Sequence, residues 1–459
     1  MTGLRHRHGG ETGAMIIQMA LASIAMLALV GVAVDYGVKL IARTEAQRAA
    51  DAGALAGAVA LAFDDPTDLT DSGVAKRSAR GYALANTVFG EAPDVNITND
   101  VKFIECPPPN GGPGTLCVQV DVYRNQQRAN ALPALFTRVV GVTSQGVKAT
   151  ATAKVLNGDT TDCLRPWAVI DRWDENNNAV EPVGADFPDP DFCPGGANCA
   201  GQAPSTYDKY SDGKGQNPPA EPDLYIPPAA DGSDPGTGYR VPDDIGKRFA
   251  LKIQAGDGIT SGWGLALDLP RTDSGNLGAN AYGDNILTCS GIDITINDPA
   301  VPCPTDANAL GTWAEKVEWG GKGCVRVQTG TMQGPTSQNV TDLVARDSAA
   351  KWGTTPEGTP GVVDSCCSAS PRIVPVAIAD IDQYLAQNPT GSGGVVRIVN
   401  IFGFFIEGMG DFDDKTGEME IKNGGKAVIG RLMKFAGSGS GKVTLHESAS
   451  YTKIIVLVR

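Results

Sequence analysis

A chain of 459 residues has room for about two to four domains, and a formal net charge of −14 leaves it ill suited to a polyanionic partner. Phosphate recognition needs clustered Lys and Arg, so no nucleic acid is expected among its partners. Abundant Gly (57) and Pro (30), with only 6% aromatic residues, favour strands, turns and long connections over helical bundles.

Residues 1–13 form a short polar tip with Arg5 and Arg7. From Ala14 to Val34 no residue is charged, and Gln18 and Ser23 are the only strongly polar members. At the helical rise this run is about 31 Å long, which matches the hydrocarbon core of a bilayer. Inside lipid every backbone group must be satisfied within the chain, so the segment is expected to be a helix. It is longer than the apolar region of a cleaved signal peptide. Basic residues flank both sides (Arg5 and Arg7 before it; Lys39, Arg43 and Arg48 after it), so charge asymmetry does not set the orientation.

The cysteines set it instead. All ten (Cys106, Cys117, Cys163, Cys193, Cys199, Cys289, Cys303, Cys324, Cys366 and Cys367) follow the apolar run. An even number fits disulfides in an oxidising compartment, and no CxxC spacing supports a structural zinc site. Cys106 and Cys117 flank the turn PPPNGGPGT and are expected to clip a hairpin, and Cys193 and Cys199 could close a small loop. The other pairings are not legible from spacing.

Asp35 to Ala62 contains no proline and is rich in good helix formers, so the helix is expected to run on to residue 62, about 72 Å in all. Ala42, Ala46, Ala49, Gly53, Ala56 and Ala60 recur at spacings that form one stripe of small residues. Two readings stay open for that stripe: packing on its own domain, or packing against copies or partners. A second helix is expected around Val74–Phe89, ended by Gly90. Alternation then predicts strands at Val95–Thr98, Val101–Cys106, Leu116–Tyr123 and Gln145–Val155, with a short apolar turn-and-helix piece at Ala134–Val140.

Residues 158–245 carry many Pro, Asp, Gly and Asn and read as irregular surface structure held by disulfides. Beyond them, strands are expected at Phe249–Gln254, Gly264–Leu269, Val325–Gln328, Ile373–Ile378, Val395–Ile406, Ala427–Leu432 and Lys453–Val458. Helices are expected near Thr341–Ala349 and Asp380–Gln387. No internal repeat is evident.

Catalytic patterns are sparse. His6 and His8 lie at the tip and leave His446 alone in the body of the chain, with no GxSxG motif to accompany it. GSGSGK at 437–442 is not a phosphate-binding loop, because Ala436 and Val443 stand at its defining positions. Asp174, Asn176 and Asn178 start a calcium-loop-like alternation, but Ala179 and Ala185 occupy the positions that need Gly and Glu, which favours an Asn-rich turn. No catalytic, cofactor-binding or metal-ligating residue is therefore assigned, and no cofactor is expected.

The N-terminal region carries a resemblance. Gly13-Ala14-Met15-Ile16-Ile17-Gln18-Met19-Ala20-Leu21, then Gly31-Val32-Ala33-Val34-Asp35-Tyr36, then Arg43-Thr44-Glu45-Ala46-Gln47-Arg48-Ala49-Ala50-Asp51-Ala52-Gly53-Ala54-Leu55-Ala56-Gly57-Ala58 resembles TadE/TadG-like Flp pilus-assembly proteins. It is close over about 50 residues and looser over 74–157. Residues 158–459 look similar to the long C-terminal part of TadG-related proteins through Pro166-Trp167-Ala168, Gly334-Pro335-Thr336, Ser370-Pro371-Arg372-Ile373-Val374-Pro375 and Gly403-Phe404-Phe405-Ile406-Glu407-Gly408.

The resemblance implies a bitopic protein of the bacterial inner membrane with most of the chain in the periplasm or at the cell surface, and a role in the tight-adherence pilus system. One departure stands out. Prepilin peptidases cut after Gly, and pilins typically carry Glu five residues beyond the cut; cleavage after Gly13 would place Gln18 there, so the chain is expected to be unprocessed, or processed only poorly, and to stay in the membrane.

The resulting expectation is an α+β protein. A single transmembrane helix continues into a long pilin-like helix, followed by antiparallel β-rich extracytoplasmic domains with long loops. Its segments are 1–13 (cytoplasmic tip), 14–62 (transmembrane and extended pilin-like helix), 63–157 (small α+β pilin-like domain), 158–245 (Pro-, Gly- and Asp-rich irregular region) and 246–459 (β-rich C-terminal domain). The expected function is a non-enzymatic component of a Flp pilus assembly apparatus, with membrane lipid and other Tad or pilin-like proteins as partners. A surface adhesin and an envelope hydrolase are the alternatives.

Overall fold

The structure is a computed structural model that describes residues 11–458 apart from 65–66, 107–115, 174–209, 211–222, 254–262, 273–278, 329, 331, 357, 368, 388–393, 413–417 and 440–442. The chain divides into two units, Met1–Val155 with Ile455–Arg459, and Leu156–Ile454. The architecture is mixed α and β, led by one long apolar helix.

In the first unit a 53-residue helix, α1 (Glu11–Phe63), runs unbroken from the apolar segment into the domain. It is joined by α2 (Val74–Ala85) and by strands β1 (Val101–Glu105), β2 (Leu116–Arg124) and β3 (Val147–Asn157). The strands lie antiparallel in the order β1-β2-β3, with the last strand of the chain (Thr452–Val458) beside β3. Alternation puts Val118, Val120 and Val122 of β2 on the face shared with Ala149, Ala151 and Ala153 of β3, and this face packs on the helices. The expected Cys106–Cys117 disulfide clips the β1–β2 hairpin.

The small-residue stripe is used within this unit. Of its members Ala42, Ala46, Ala49, Gly53 and Ala60 are buried and Ala56 is half-buried, and Ala50, Ala54 and Ala58 beside them are fully buried, against Ala75, Ala79 and Ala83 of α2 and the valines of β2. The backbones approach so closely that a Cβ on Gly53 would lie 2.8 Å from the Ala79 carbonyl oxygen, and one on Gly57 would lie 2.8 Å from Val118 Cγ1. Of the two readings of the stripe, packing on its own domain is the one the structure contains.

In the second unit the strands in chain order are β4 (Trp167–Ile170), β5 (Arg248–Ile253) and β6 (Trp263–Ala266). Next come α3 (Ala279–Leu287), α4 (Trp313–Gly320), β7 (Cys324–Arg326), α5 (Gln333–Ala345), β8 (Ile373–Ala379) and α6 (Ile381–Ala386). The 18-residue β9 (Val395–Phe412), then β10 (Met419–Ile421) and β11 (Ala427–Met433), complete the main sheet. The sheet order is β7-β9-β8-β4-β6-β5-β11, and β11 pairs back onto β9. Six strands, β9-β8-β4-β6-β5-β11, thus form a closed ladder. Closure is possible because β9 pairs on both edges at once: Gly403, Phe404 and Phe405 face Pro375, Val374 and Ile373 on one side and Met433, Leu432 and Arg431 on the other. Most pairs are antiparallel, while β8–β4 and β6–β5 are parallel.

Nearly every residue of β9 is buried, so it reads as a continuous apolar run rather than an alternating one. Trp167, Phe249, Val376, Phe402 and Phe404 form one core with Tyr282 of α3 and Val340 of α5, and Ala168, Leu265, Ala377 and Ile401 belong to another. Most residues of the motifs quoted for the C-terminal resemblance are buried in these interiors, while Gly334 is exposed. Trp167 Nε1 donates to the Tyr282 hydroxyl (2.8 Å), which is 2.7 Å from Thr336 Oγ1, so the Pro166-Trp167-Ala168 and Gly334-Pro335-Thr336 motifs meet at one tyrosine. Buried Arg372 donates to the carbonyls of Ile406, Asp347, Ala350 and Glu407. The Glu407 carboxylate receives Arg248 (2.6 Å) and Arg431 (2.7 Å).

Several expectations need correction. Helix α2 stops at Ala85 rather than Phe89, because the chain turns at Phe89 and Gly90 (φ 52° and 80°) into a bridge between Val88 and Glu91. Val95–Thr98 is not a strand: the Asn96 carboxamide oxygen accepts from the amides of Thr98 and Asn99 and holds a turn. Residues 158–245 are not wholly irregular surface, since β4 lies within the closed ladder with all four residues buried. Helix α5 starts at Gln333, ahead of the expected Thr341, with Pro335 tolerated in its first turn. Helices α3 and α4 were not expected, although the Thr312–Glu315 capping box of α4 is written in the sequence.

Gly57→Val should destabilise the first unit by about 1–3 kcal/mol through overpacking. Gly37→Ala, where an added Cβ meets nothing within 4 Å, should be neutral or stabilising by up to about 1 kcal/mol. Denaturant titration of the full chain in detergent compares the two, and equal losses at both positions would contradict the packing described. In the second unit, Tyr282→Phe strands the buried Trp167 N–H and should cost about 1–3 kcal/mol, read in the same titration.

Candidate functional site

The part of α1 that leaves its own domain is the feature most unlike a soluble protein. Its best window has a mean hydropathy of 2.3, long and apolar enough to cross a membrane, and almost none of that window is buried. Leu27 and Leu29 are 71% and 72% exposed, and Met15, Ile16, Ile24, Met26 and Val30 are exposed with them. No polar face accompanies these residues, as a surface helix in water would require. Gln18 is exposed within this stretch.

Two residues break the pattern, Gly31 and Asp35, both buried one turn apart. What covers them is the loop after β2. There a short 3-10 turn (Thr137–Val140) is closed by Gly141 at φ 87°. The start of such a turn leaves amide donors without internal acceptors. The Asp35 carboxylate receives them from 100 residues away in sequence. Leu135 N donates at 3.0 Å, Phe136 N at 3.1 Å, Thr137 N at 2.7 Å and Thr137 Oγ1 at 2.6 Å. Asp35 is only 2% exposed. It caps the loop as an N-cap residue caps a helix, with a full charge opposite converging N–H dipoles. One turn toward the apolar end, Phe136 packs on Gly31 so tightly that a Cβ there would lie 2.6 Å from Phe136 Cβ.

Further along α1 the polar residues act similarly. Glu45 Oε2 accepts from Phe89 N at 2.6 Å, at the turn that ends α2. Gln47 Nε2 donates to the Thr150 carbonyl on β3 (3.2 Å) and to Asp51 (2.8 Å). Thus Asp35, Glu45 and Gln47 tie the helix to three separate places in its own unit. Lys39, Arg43 and Arg48 stay exposed.

The remaining sequence candidates do not assemble a reactive centre. His446 Nδ1 sits 2.8 Å from Ser448 Oγ and also accepts from Ser448 N, within a single turn. Among the described residues, no group of three or more His, Cys, Asp or Glu side chains is placed to hold a metal ion. Asp174, Asn176, Asn178, Cys193 and Cys199 lie outside the described residues, as does part of the GSGSGK run. The described cysteines pair as Cys106–Cys117, Cys163–Cys289, Cys303–Cys324 and the neighbours Cys366–Cys367. The loop that covers Asp35 escaped the sequence reading. Its signal was an adjacent apolar pair, Leu135-Phe136, in a stretch read only as a turn-and-helix piece.

A long apolar helix rooted in a small α+β unit by a carboxylate-capped loop defines an anchored-domain class of protein. Within it, residues 13–60 match the model of the family described as putative Flp pilus-assembly TadE/G-like. The match covers the apolar run, Asp35, Glu45, Gln47 and the whole small-residue stripe, and it supports a pilus-assembly component anchored in a membrane. No curated protein and no solved structure matches the chain.

Asp35→Ala should release the loop. Amides 135–137 should exchange hydrogen roughly tenfold faster or more. Asp35→Asn, which keeps one acceptor oxygen, should fall between. Hydrogen-exchange mass spectrometry of the chain in detergent reads both, and unchanged protection in Asp35→Ala would contradict the assigned role.

Proposed function

We propose that the protein is a non-enzymatic, membrane-anchored part of a Flp or tight-adherence pilus assembly apparatus, with the bulk of its chain on the non-cytoplasmic side. The observation that carries this reading is a coincidence of limits. The segment that matches the TadE/G-like family is the same segment that forms the apolar rod and its docking into the first unit. Pairing of the described cysteines supports an oxidising compartment for the region beyond the helix. Unbroken helix from the apolar run into the domain gives a stiff link, so a load on the first unit reaches the anchor without an intervening hinge. The partners in this reading are inner-membrane lipid and other Tad or pilin-like proteins, met through the domain surfaces. In this reading Gln18, which stands where pilins carry Glu, goes with an N-terminal segment that is not removed or is removed only poorly.

Deletion of the gene, followed by electron microscopy of pili and an adherence assay, tests the proposal. Loss or gross reduction of pili, restored by the wild-type gene, is the expected result. Normal pili and normal adherence would refute it. N-terminal sequencing of the membrane fraction should find no chain beginning at Ala14.

A further inference from the structure

The loop that caps on Asp35 does more than brace the helix. Leu135 and Phe136 are 51% and 52% exposed, and Val142 is 44% exposed just beyond the turn. Three large apolar side chains on one short loop are costly in water, and no segment among the described residues of the unit covers them. Their position explains them. Phe136 packs on Gly31, which lies within the uncharged run and about 6 Å on the span side of Asp35 at the helical rise. The exposed Val30 and Val32 flank the contact, so the loop stands at the depth of the last apolar turn of α1 and continues its apolar surface.

Backbone at that depth meets a second demand. Water is scarce there, and every amide must find a partner within the protein. The amides of residues 135, 136 and 137 find theirs in the Asp35 carboxylate. Arg138, exposed on the same turn, and Lys39, one turn beyond Asp35 on α1, are long enough to reach headgroup phosphates.

We propose that the 135–142 loop is a second membrane contact, in which Leu135, Phe136 and Val142 enter the acyl region of the leaflet from which α1 emerges while Arg138 and Lys39 engage its headgroups. The occupant is lipid because the patch is continuous with the apolar span, and this inference rests on the anchored reading above. The consequence is orientational: a lone helix lets its domain rotate and tilt on the bilayer, whereas a helix and a loop fix one face of the first unit against it.

The test uses the full chain in vesicles of phosphatidylethanolamine and phosphatidylglycerol. A benzophenone amino acid is placed singly at Leu135, at Leu27 in the span, and at Tyr82, which is exposed on α2. Helix α2 packs along Gly53 and Gly57, about 27 Å or more beyond Asp35 at the helical rise. After illumination, mass spectrometry should find phospholipid adducts at 135 and 27 and none at 82. Adducts at 27 without any at 135, or cross-links from 135 to a second copy of the chain, would overturn the loop contact and leave the anchor standing. Absence of lipid adducts at 27 would overturn the anchor and the loop contact together. In a second arm, Leu135→Glu at an exposed position should preserve the fold, keep the chain in the membrane fraction, and raise protease cutting in the loop several-fold. Unchanged cutting would count against the proposal.

Discussion

The structure depends on one constraint, that backbone amide groups close to hydrocarbon cannot be left to solvent. A helix meets it alone, and for that reason α1 can cross lipid without help. A loop beside such a helix cannot meet it alone and must be given an acceptor. Asp35 is that acceptor: a charged group placed where the apolar run stops, turned inward to receive three amides and a hydroxyl. The side chain that marks the end of the span is therefore also the one that attaches the domain to it. The same economy holds up the helix, where Glu45 takes the amide of Phe89 and Gln47 reaches the Thr150 carbonyl. Those polar residues look like surface decoration on a helical wheel, yet each is a tie.

The close packing of α1 has a consequence for assembly. Small residues let backbones approach, and in pilin-like helices they invite the idea of a packing seam between copies. Here α2 and β2 already fill that seam, with Gly53 and Gly57 too close to their neighbours to admit a methyl group. Any contact between copies in the aqueous part of the helix must use other faces, such as those carrying exposed Lys39, Arg43, Arg48 and Val59. Such faces favour polar, salt-sensitive contacts over tight helix–helix seams.

How much of this was legible follows from which interactions are local. The run from Ala14 to Val34, the helical continuation to residue 62 and the alternation in β2 and β3 are local patterns, and the observed α1, β2 and β3 follow them closely. The Cys106–Cys117 clip was legible because its turn lies between the two cysteines. The Cys163–Cys289 pair spans 126 residues, and nothing near either cysteine announces the other. Likewise Asp35 and Thr137 lie far apart in sequence, so the docking loop reads only as an apolar turn-and-helix piece. Strand β4 was missed for another reason: Trp167-Ala168-Val169-Ile170 is buried on both faces, and a short apolar run inside a Pro- and Gly-rich stretch has no periodicity to declare it.

The second unit sets a limit on what resemblance there can mean. Trp167 and Thr336 meet at Tyr282, Arg372 is spent on four backbone carbonyls, and Phe404 sits in the core of the closed ladder. Most of the residues that make this region look familiar are buried ones that specify its fold, with Gly334 the exposed exception. A likeness carried by such positions argues for a shared scaffold and says nothing about what the scaffold holds. Specific recognition by this unit must come from loops and exposed strand edges, which tolerate change while the core does not. A scaffold with a fixed interior and a free rim can serve assembly in one setting and adhesion in another, and the first unit is the part whose apolar helix and family match support a membrane-anchored pilus-assembly component.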